Sequence, residues 1–381
     1  MRITEGQQGN SESVRVIHVV PTQFGSDGLF GGGERYPLEL ARAMAREVEC
    51  ELLTFGPRPG AWREAGGLQV RVLRRWGLWA GHPAHPVAPR LAWSLSDADL
   101  VHTHHLRSVP SQVAVITAAL AGQHRVTTDH GLGGGGWNGL LPRLFERFLT
   151  VSRFSARQLQ VPAERVRVIY GGADPQRFRP DPDVTRSGLL YLGRITPHKG
   201  LDRLIQALPP GARLTVAGSG GHDRDWPERD YAQLLRQLAA GHDVHVTGPV
   251  GEDDVPLLHR RAAAFVLPTV ERTCYGRSVA VTELLGLSVL EAMASGTPVV
   301  ASRTGGVSEI VRHGDTGFLV TPGDVLELRE RLEQLLGDPA LARRMGDAGR
   351  ELVLSRFTWT RTAARCLAAY DELTTAGNGA S

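Results

Sequence analysis

The sequence lacks the residue patterns that mark several common protein classes. Among its 381 residues there is a single lysine, Lys199, and arginine supplies the rest of the 43 basic side chains. The three cysteines are far apart and form no Cys-x-x-Cys pair, which argues against a disulfide framework and against a zinc site. The longest apolar run, residues 113–122, is about half the ~20 residues that a membrane-spanning helix needs. We therefore expect a cytoplasmic protein with reduced thiols.

The sequence also has little excess of one charge over the other. The formal net charge is +3, and no dense basic run with interleaved aromatic residues is present, so a nucleic acid is not the expected partner. The apolar run 14–20 is interrupted by Arg15 and His18, so no secretory signal is expected there. The length fits two domains of ~150–200 residues.

Short β-branched runs alternate with longer helical patterns, which is typical of parallel sheets covered by helices. A Pro- and Asp-rich segment, residues 174–183, separates two such series. We therefore predict an α/β protein with a first domain over residues 1–180 and a second over residues 181–356. The final helix, residues 357–373, is expected to pack back on the first domain.

The single lysine lies in a segment that predicts an anion site. An apolar run, residues 189–192, leads into Gly193, Arg194 and Lys199, and apolar residues at helical spacing follow. A strand, tight loop and helix in this order direct backbone N–H groups and a positive helix end at an anion. An ammonium group suits phosphate oxygens that are approached end-on. An exposed lysine on a loop, present by chance, is the alternative.

A run of three glycines predicts a second place where backbone amides approach an anion. Gly31, Gly32 and Gly33 follow the first predicted strand and open the first predicted helix, residues 34–46. Their order differs from G-x-G-x-x-G, and no acidic residue ends the second strand, so a nicotinamide cofactor is not expected. A purely structural tight turn is the alternative.

Two glutamates mark the most specific segment of the sequence. Glu283 and Glu291 flank Gly286, where a helix is predicted to begin. Eight residues of continuous helix would separate them by ~12 Å, so they act together only if Glu283 lies on the preceding loop. Glu291 is predicted in the first helical turn, where Ser288-x-x-Glu291 matches a capping box and offers a structural explanation for it.

Taken together, these segments resemble the retaining glycosyltransferases of family 4, which have the GT-B fold. The resemblance extends from Gly31-Gly-Gly-Glu-Arg to Phe357-Thr-Trp359. It implies two Rossmann-like domains whose parallel sheets face each other across a central cleft. It also implies transfer of a hexose-type sugar from a nucleotide diphosphate sugar, with UDP favoured over GDP, to a small-molecule, lipid or glycan acceptor. No cofactor and no essential metal are expected.

The resemblance implies roles for individual residues. Arg194 and Lys199 match the pair that binds the diphosphate, and Glu283 matches the carboxylate that holds sugar hydroxyls. Glu291 matches the ribose-binding carboxylate, and His130 matches a histidine near the outer hydroxyl of the sugar. The remaining positions expected around the donor are Gly31, Gly32, Gly33, Gly193, Gly286, Leu287 and Ser288.

One segment departs from the family pattern. Members of the family usually have the first glutamate a few residues after the proline that ends the fourth strand of the second domain. Here residues 269–282 separate Pro268 from Glu283. Glu271 has the usual spacing from Pro268, but the residue eight positions beyond it is Val279. We therefore assign the role to Glu283.

Histidine and aspartate clusters in the first domain offer competing interpretations. His102, His104 and His105 have the ligand chemistry of a metal site, but on a strand His102 and His104 merely share a face. The resemblance places all three at the start of the acceptor side. Asp97-Ala-Asp99 mimics the metal-binding D-x-D of a different glycosyltransferase fold. It precedes a predicted strand, and we favour a solvated loop.

The segment 141–160 combines arginines with apolar residues. It is interpreted either as a basic amphipathic contact with the inner face of a membrane or as a surface helix running into a buried strand.

The function also has two alternatives. One is a sugar-nucleotide epimerase or hydrolase of the same fold, and the other is a non-catalytic sugar-binding protein.

Overall fold

The computed structural model describes residues 14–22, 31–130, 136–220 and 230–377. The chain divides into two units, each with its own core. Unit 1 contains the residues up to Gly171 and those from Trp359 onward, and unit 2 spans Gly172–Thr358. The chain thus passes into unit 2 before the sequence-based boundary at residue 180, and the final helix belongs to unit 1.

Parallel strands form the centre of both units. The strands of the described residues are β1 (Arg15–Val19), β2 (Glu49–Gly56), β3 (Gly60–Arg63), β4 (Gln69–Arg74), β5 (Gly77–Leu78), β6 (Pro86–Val87), β7 (Leu100–His104), β8 (His124–Asp129), β9 (Arg147–Thr150), β10 (Val166–Val168), β11 (Leu189–Leu192), β12 (Arg213–Ala217), β13 (Asp243–Gly248), β14 (Ala264–Leu267), β15 (Val299–Ser302) and β16 (Gly317–Val320).

Each unit has one main sheet among its described residues. In unit 1 the strand order is β10-β9-β8-β7-β1-β2-β4-β3, and every neighbouring pair is parallel except β3 with β4. In unit 2 the order is β13-β12-β11-β14-β15-β16, and all pairs are parallel. The central strands are buried, as the near-continuous apolar sequences of β11, β14 and β15 require. Strands β5 and β6 form a separate antiparallel pair.

Helices cover the sheets in both units. They are α1 (Gly32–Met44), α2 (Val109–Leu120), α3 (Arg153–Gln158), α4 (Leu201–Gln206), α5 (Tyr231–Leu238), α6 (Val255–Arg261), α7 (Leu287–Ala294), α8 (Val307–Ile310), α9 (Val325–Gly337), α10 (Pro339–Arg356) and α11 (Trp359–Gly377). Helix α11 packs against α1 within unit 1. Across the described ranges, no helix has both the length and the apolar character needed to cross a bilayer.

The segment 141–160 is not a single helix. It consists of a 3₁₀ turn over Leu141–Leu144, then β9, then α3. Leu141, Phe145 and Phe148 are buried together in a core cluster of unit 1. The apolar side chains that suggested a membrane contact therefore lie inside the unit. The expected buried strand is present, but the helix expected before it is only a 3₁₀ turn.

Candidate active site

The loop between β11 and α4 carries the single lysine. Tyr191, buried in β11, donates its hydroxyl to the backbone carbonyl of Arg194 at 2.6 Å, which fixes the first part of this loop. A 3₁₀ turn ends at Lys199, and Gly200 follows with φ 69°. A Cβ at Gly200 would lie 2.0 Å from the carbonyl oxygen of Pro268, so only glycine fits this turn.

Lys199 and Glu283 form an ion pair. Lys199 Nζ donates to Glu283 Oε2 at 2.6 Å, and the two side chains are only 13% and 16% exposed. Glu283 lies on the loop before α7, as the sequence predicted. The Gly306 N–H donates to the Glu283 carbonyl oxygen at 3.0 Å, and a Cβ at Gly305 would lie 1.8 Å from that oxygen. The backbone around Gly305 therefore positions Glu283.

The unusual segment 269–282 closes on itself. The Val279 N–H donates to the Glu271 carbonyl oxygen at 2.8 Å, so the chain leaves the sheet edge and returns. The Glu271 side chain is exposed, whereas Glu283, which follows the closed segment, is largely buried against Lys199. The geometry therefore separates the two candidate carboxylates.

Three cations act on His198, which lies beside Lys199 in the loop. Burial contributes most to lowering the pKa of His198 to about 3, and the charges of Lys199, Arg194 and Arg277 lower it further. His198 is therefore neutral at physiological pH, and the positive charge of this loop comes from Lys199 and Arg194. Arg277, which is supplied by segment 269–282, was not among the predicted site residues.

Helix α7 begins without a side-chain cap. Its N-cap is Gly286, with φ 99°, and Leu287 and Ser288 are its first residues, where N–H groups have no partner within the helix. The predicted capping box is wrong, because Ser288 lies inside the helix and Glu291 lies in its second turn. Glu291 is 4% exposed, and its Oε2 lies 3.9 Å from His259 Nε2.

In unit 1, several predicted residues meet at the carboxyl edge of the sheet. Gly31 is the N-cap of α1, and Gly32 and Gly33 lie in its first turn. A Cβ at Gly33 would lie 3.6 Å from His105 Cε1, and the ring centroid of His105 lies 4.8 Å from that of His130. The glycine run and two of the predicted histidines therefore belong to one place.

A chain of hydrogen-bonded histidines runs from the core of unit 1 to His130. His18 Nδ1 lies 3.1 Å from His104 Nε2, and His104 Nδ1 lies 3.1 Å from His130 Nε2. His18 Nε2 is buried without a hydrogen-bond partner, which disfavours a proton there because a buried N–H without an acceptor is costly. His18 therefore carries its proton on Nδ1, and each ring donates to the next. This leaves the proton of neutral His130 on Nδ1.

One group of side chains in the described ranges could hold a metal ion. It consists of His18, His102 and His104, whose ligand atoms lie within 4.8 Å of one another. The nitrogens of His102 already contact the Tyr370 hydroxyl at 2.6 Å and the Thr128 hydroxyl at 2.7 Å. The three histidines include no anion to offset a buried dication, which is costly to leave uncompensated. The hydrogen bonds thus favour neutral imidazoles over a metal site.

The aspartates of the D-x-D sequence contact an arginine. The Arg15 N–H donates to Asp99 Oδ2 at 2.7 Å, and the Arg15 guanidinium lies 3.1 Å from Asp97 Oδ2. The Asp97 side chain is 57% exposed. The two carboxylates therefore lie on a solvated loop before β7, where Arg15 offsets part of their charge.

Burial of His18 predicts a loss of stability in acid. Desolvation lowers the pKa of His18 from 6.5 to about 3, so the unfolded chain takes up this proton at a higher pH than the folded chain. The free energy of unfolding should therefore fall as the pH drops from about 6.5 towards 3, by about 2 kcal/mol at pH 5 from this residue alone.

The measurement compares urea unfolding of wild type and His18→Asn at pH 7 and pH 5. The asparagine amide keeps a donor near the position of His18 Nδ1 but does not titrate, so the variant should lose less stability between the two pH values. An equal loss in both proteins would show that His18 is not the source.

Two family models match the chain. The model described as Glycosyltransferase Family 4 matches residues 30–177, and the model described as Glycosyl transferases group 1 matches residues 173–352. The chain belongs to glycosyltransferase family 4. The two matches together include the glycine run, His104 and His130 of the histidine chain, the loop of Lys199 and both glutamates.

The family 4 assignment agrees with similar proteins. The GDP-mannose-dependent alpha-(1-6)-phosphatidylinositol monomannoside mannosyltransferase of Mycobacterium tuberculosis is 35% identical over 227 residues, which cover 54% of this chain and 55% of the relative. The chain thus matches about half the length of this curated relative.

Solved structures of this glycosyltransferase type have the same fold. A sucrose-phosphate synthase from Thermosynechococcus elongatus has a TM-score of 0.76 at 22% identity, over 95% of this chain and 100% of that one. Anabaena HepE in complex with UDP-glucose has a TM-score of 0.72 at 20% identity, over 95% and 99% of the two chains. The expected α/β fold of GT-B type is confirmed.

Three residues of the candidate site were not predicted from the sequence. His18 looked only like an interruption of an apolar run, and its role depends on the pairing of β1 with β7, which places it beside His102. Arg277 lies in a segment that departs from the family pattern. Tyr191 looked like an ordinary core residue of β11. Strand register would have revealed His18, but no signal in the sequence distinguished the other two.

Proposed function

We propose that this glycosyltransferase moves a hexose-type sugar from a nucleotide diphosphate sugar to an acceptor hydroxyl with retention of configuration. The observation that carries this proposal is the ion pair between Lys199, on the loop that also holds Arg194, and Glu283, on the loop before α7. It combines cations suited to a diphosphate with a carboxylate suited to sugar hydroxyls. The names of the similar proteins, one GDP-mannose-dependent and one bound to UDP-glucose, support a nucleotide sugar donor.

In the proposed reaction, the bond between the sugar C1 and the diphosphate oxygen breaks, and the leaving nucleoside diphosphate takes the electron pair. Lys199, Arg194 and the N–H groups at the start of α7 stabilise the growing negative charge. The acceptor oxygen bonds to C1 from the same face, and its proton passes to an oxygen of the leaving phosphate. The chain's contribution is mainly positioning and fixed charge.

Other side chains position the donor. Glu283 accepts hydrogen bonds from sugar hydroxyls, and Glu291 accepts from the ribose. His130 offers its Nδ1–H to the outer hydroxyl of the sugar. The acceptor is a lipid, as the name of the mycobacterial relative suggests for that protein, or a glycan or a small polar molecule such as an aminocyclitol. UDP is favoured over GDP as the nucleotide.

Transfer should not require a divalent metal. Fixed cations and helix-end amides take the place of the ion that other enzymes use on a departing diphosphate, and Asp97 and Asp99 contact Arg15 instead. We expect transfer to persist in excess EDTA. Complete loss on chelation with recovery in Mn²⁺ would contradict this mechanism.

A donor screen tests the proposed function. Thermal shifts with UDP- and GDP-sugars identify a stabilising donor, since a ligand that binds the folded state raises its unfolding temperature. Mass spectrometry of candidate acceptors then detects the added hexose, and NMR of the product reports its anomeric configuration. Release of free sugar without an acceptor as the sole reaction would assign a hydrolase. Binding without turnover for every donor and acceptor class would assign a sugar-binding protein, and an inverted product would exclude retention.

A further inference from the structure

Helix α2 in unit 1 has an apolar outer face. Its sequence from Val109 to Leu120 contains no charged residue. Three of its apolar side chains are exposed, Val113 by 37%, Ile116 by 40% and Leu120 by 86%. These positions are three and four residues apart, so they share one side of the helix. The solvent side of a surface helix is ordinarily polar.

Exposed tryptophans lie next to this helix. The strand β6 and the 3₁₀ turn Pro89–Leu95 both pack against α2. Trp76 and Trp79 flank β5, the partner of β6, and Trp93 belongs to the 3₁₀ turn. Their exposed fractions are 77%, 67% and 75%. We call these three tryptophans and the three apolar residues of α2 the tryptophan face.

The tryptophan side chains project from a hydrogen-bonded backbone. The Trp76 N–H donates to the Val87 carbonyl oxygen and the Trp79 N–H to the His85 carbonyl oxygen, both at 2.9 Å. Exposed apolar groups concentrated on an ordered surface mark a place where another molecule binds.

The charged residues within the segment that carries the three tryptophans have one sign. Residues 65–96 contain no aspartate or glutamate and include Arg74, Arg75 and Arg90. Arg74 and Arg90 are exposed. Tryptophan prefers the headgroup level of a bilayer, and arginine extends an apolar stem that ends in a charge attracted to anionic lipids. This composition fits the interface of an anionic membrane.

We propose that the tryptophan face binds the surface of an anionic lipid bilayer. A symmetric contact with a second copy of the chain fits less well, because it would bring these arginines together without a carboxylate from the same segment. The apolar residues of segment 141–160 do not serve this purpose, since they are buried. The proposal is independent of the donor site and is tested without a nucleotide sugar.

The test measures sedimentation with vesicles. We expect the full chain to bind vesicles of equal phosphatidylcholine and phosphatidylglycerol at least roughly tenfold more tightly than pure phosphatidylcholine vesicles, and more weakly as salt rises. The triple variant Trp76→Ala, Trp79→Ala, Trp93→Ala should weaken binding roughly tenfold or more, since interfacial binding scales with the apolar area inserted. Arg74→Glu with Arg90→Glu should do the same. Leu326→Ala, at an equally exposed apolar residue of α9, is the matched control and should bind like wild type.

Three outcomes would overturn the proposal. The first is failure of the wild type to sediment with the anionic vesicles at millimolar lipid. The second is vesicle binding that persists unchanged in both the triple tryptophan variant and the double arginine variant. The third is a dimer in analytical ultracentrifugation that the tryptophan variant dissociates, which would make a second copy the occupant. Circular dichroism checks that each variant is folded. If the tryptophan variant does not fold, the arginine variant tests the tryptophan face independently.

Discussion

Replacing Lys199 by alanine should lower kcat by about 10²–10³, the usual loss when a fixed donor to developing charge is removed. The ammonium is largely buried and is directed by a loop whose backbone is fixed at both ends, so no solvent cation replaces it well. Its partner Glu283 would be left largely buried without its ion pair, which costs about 1–3 kcal/mol of folding free energy. A protein of ordinary stability stays mostly folded after such a loss, so kcat should fall far more than destabilisation alone explains.

Two further variants sharpen the Lys199 test. Lys199→Arg should also be slow, because a planar guanidinium does not reproduce a point contact to phosphate. Arg213→Ala is the matched control, since it removes an exposed cation of unit 2 that pairs with Asp243 at 2.9 Å. Single-turnover kinetics and urea unfolding of the variants separate chemistry from folding. Wild-type turnover in Lys199→Ala would remove Lys199 from the site.

Replacing Glu283 by glutamine should lower kcat/KM for the nucleotide sugar by roughly one to two decades. A carboxylate accepts hydroxyl hydrogen bonds more strongly than an amide, by about 1–3 kcal/mol. The affinity for the free nucleoside diphosphate should stay nearly unchanged, because Glu283 is assigned to the sugar. Calorimetry with the nucleoside diphosphate and initial rates with the sugar donor measure the two effects separately.

Two other glutamates serve as comparisons for Glu283. Glu271→Gln should change neither quantity, since this side chain is exposed and only the backbone of Glu271 takes part in closing the segment. Glu291→Gln should also weaken binding of the free nucleoside diphosphate, because Glu291 is assigned to the ribose. If Glu271→Gln abolished transfer and Glu283→Gln were silent, the assignment of the sugar-binding carboxylate would be reversed.

The sequence predicted the buried parallel strands well and the edges of the sheets poorly. The predicted apolar run 189–192 coincides with β11, because it is short, apolar and almost wholly buried. Strand β3 was missed because all four of its residues are exposed and carry no alternation of polar and apolar side chains. The pair β5 and β6 is only two residues long in each strand and gives no periodic signal.

The candidate site was predictable where its chemistry lies in a local motif. Lys199 and Glu283 were both singled out from sequence, and the structure brings them together although they are far apart in the chain. The predicted capping box of Ser288 and Glu291 is wrong. The helix begins after Gly286, whose φ is positive, so Ser288 lies inside the helix instead of at its N-cap. The partnership of His18 with His104 depends on tertiary pairing, so no local pattern could predict it.

The closure of segment 269–282 has a consequence for engineering. The Val279 N–H donates to the Glu271 carbonyl oxygen, and this hydrogen bond closes residues 271–279 into a loop within the segment. The position of Glu283 is set separately, through the backbone of Gly305 and Gly306. The stretch between Glu271 and Val279 is therefore a module whose length and sequence can be varied around Arg277 while the backbone that holds Glu283 stays in place.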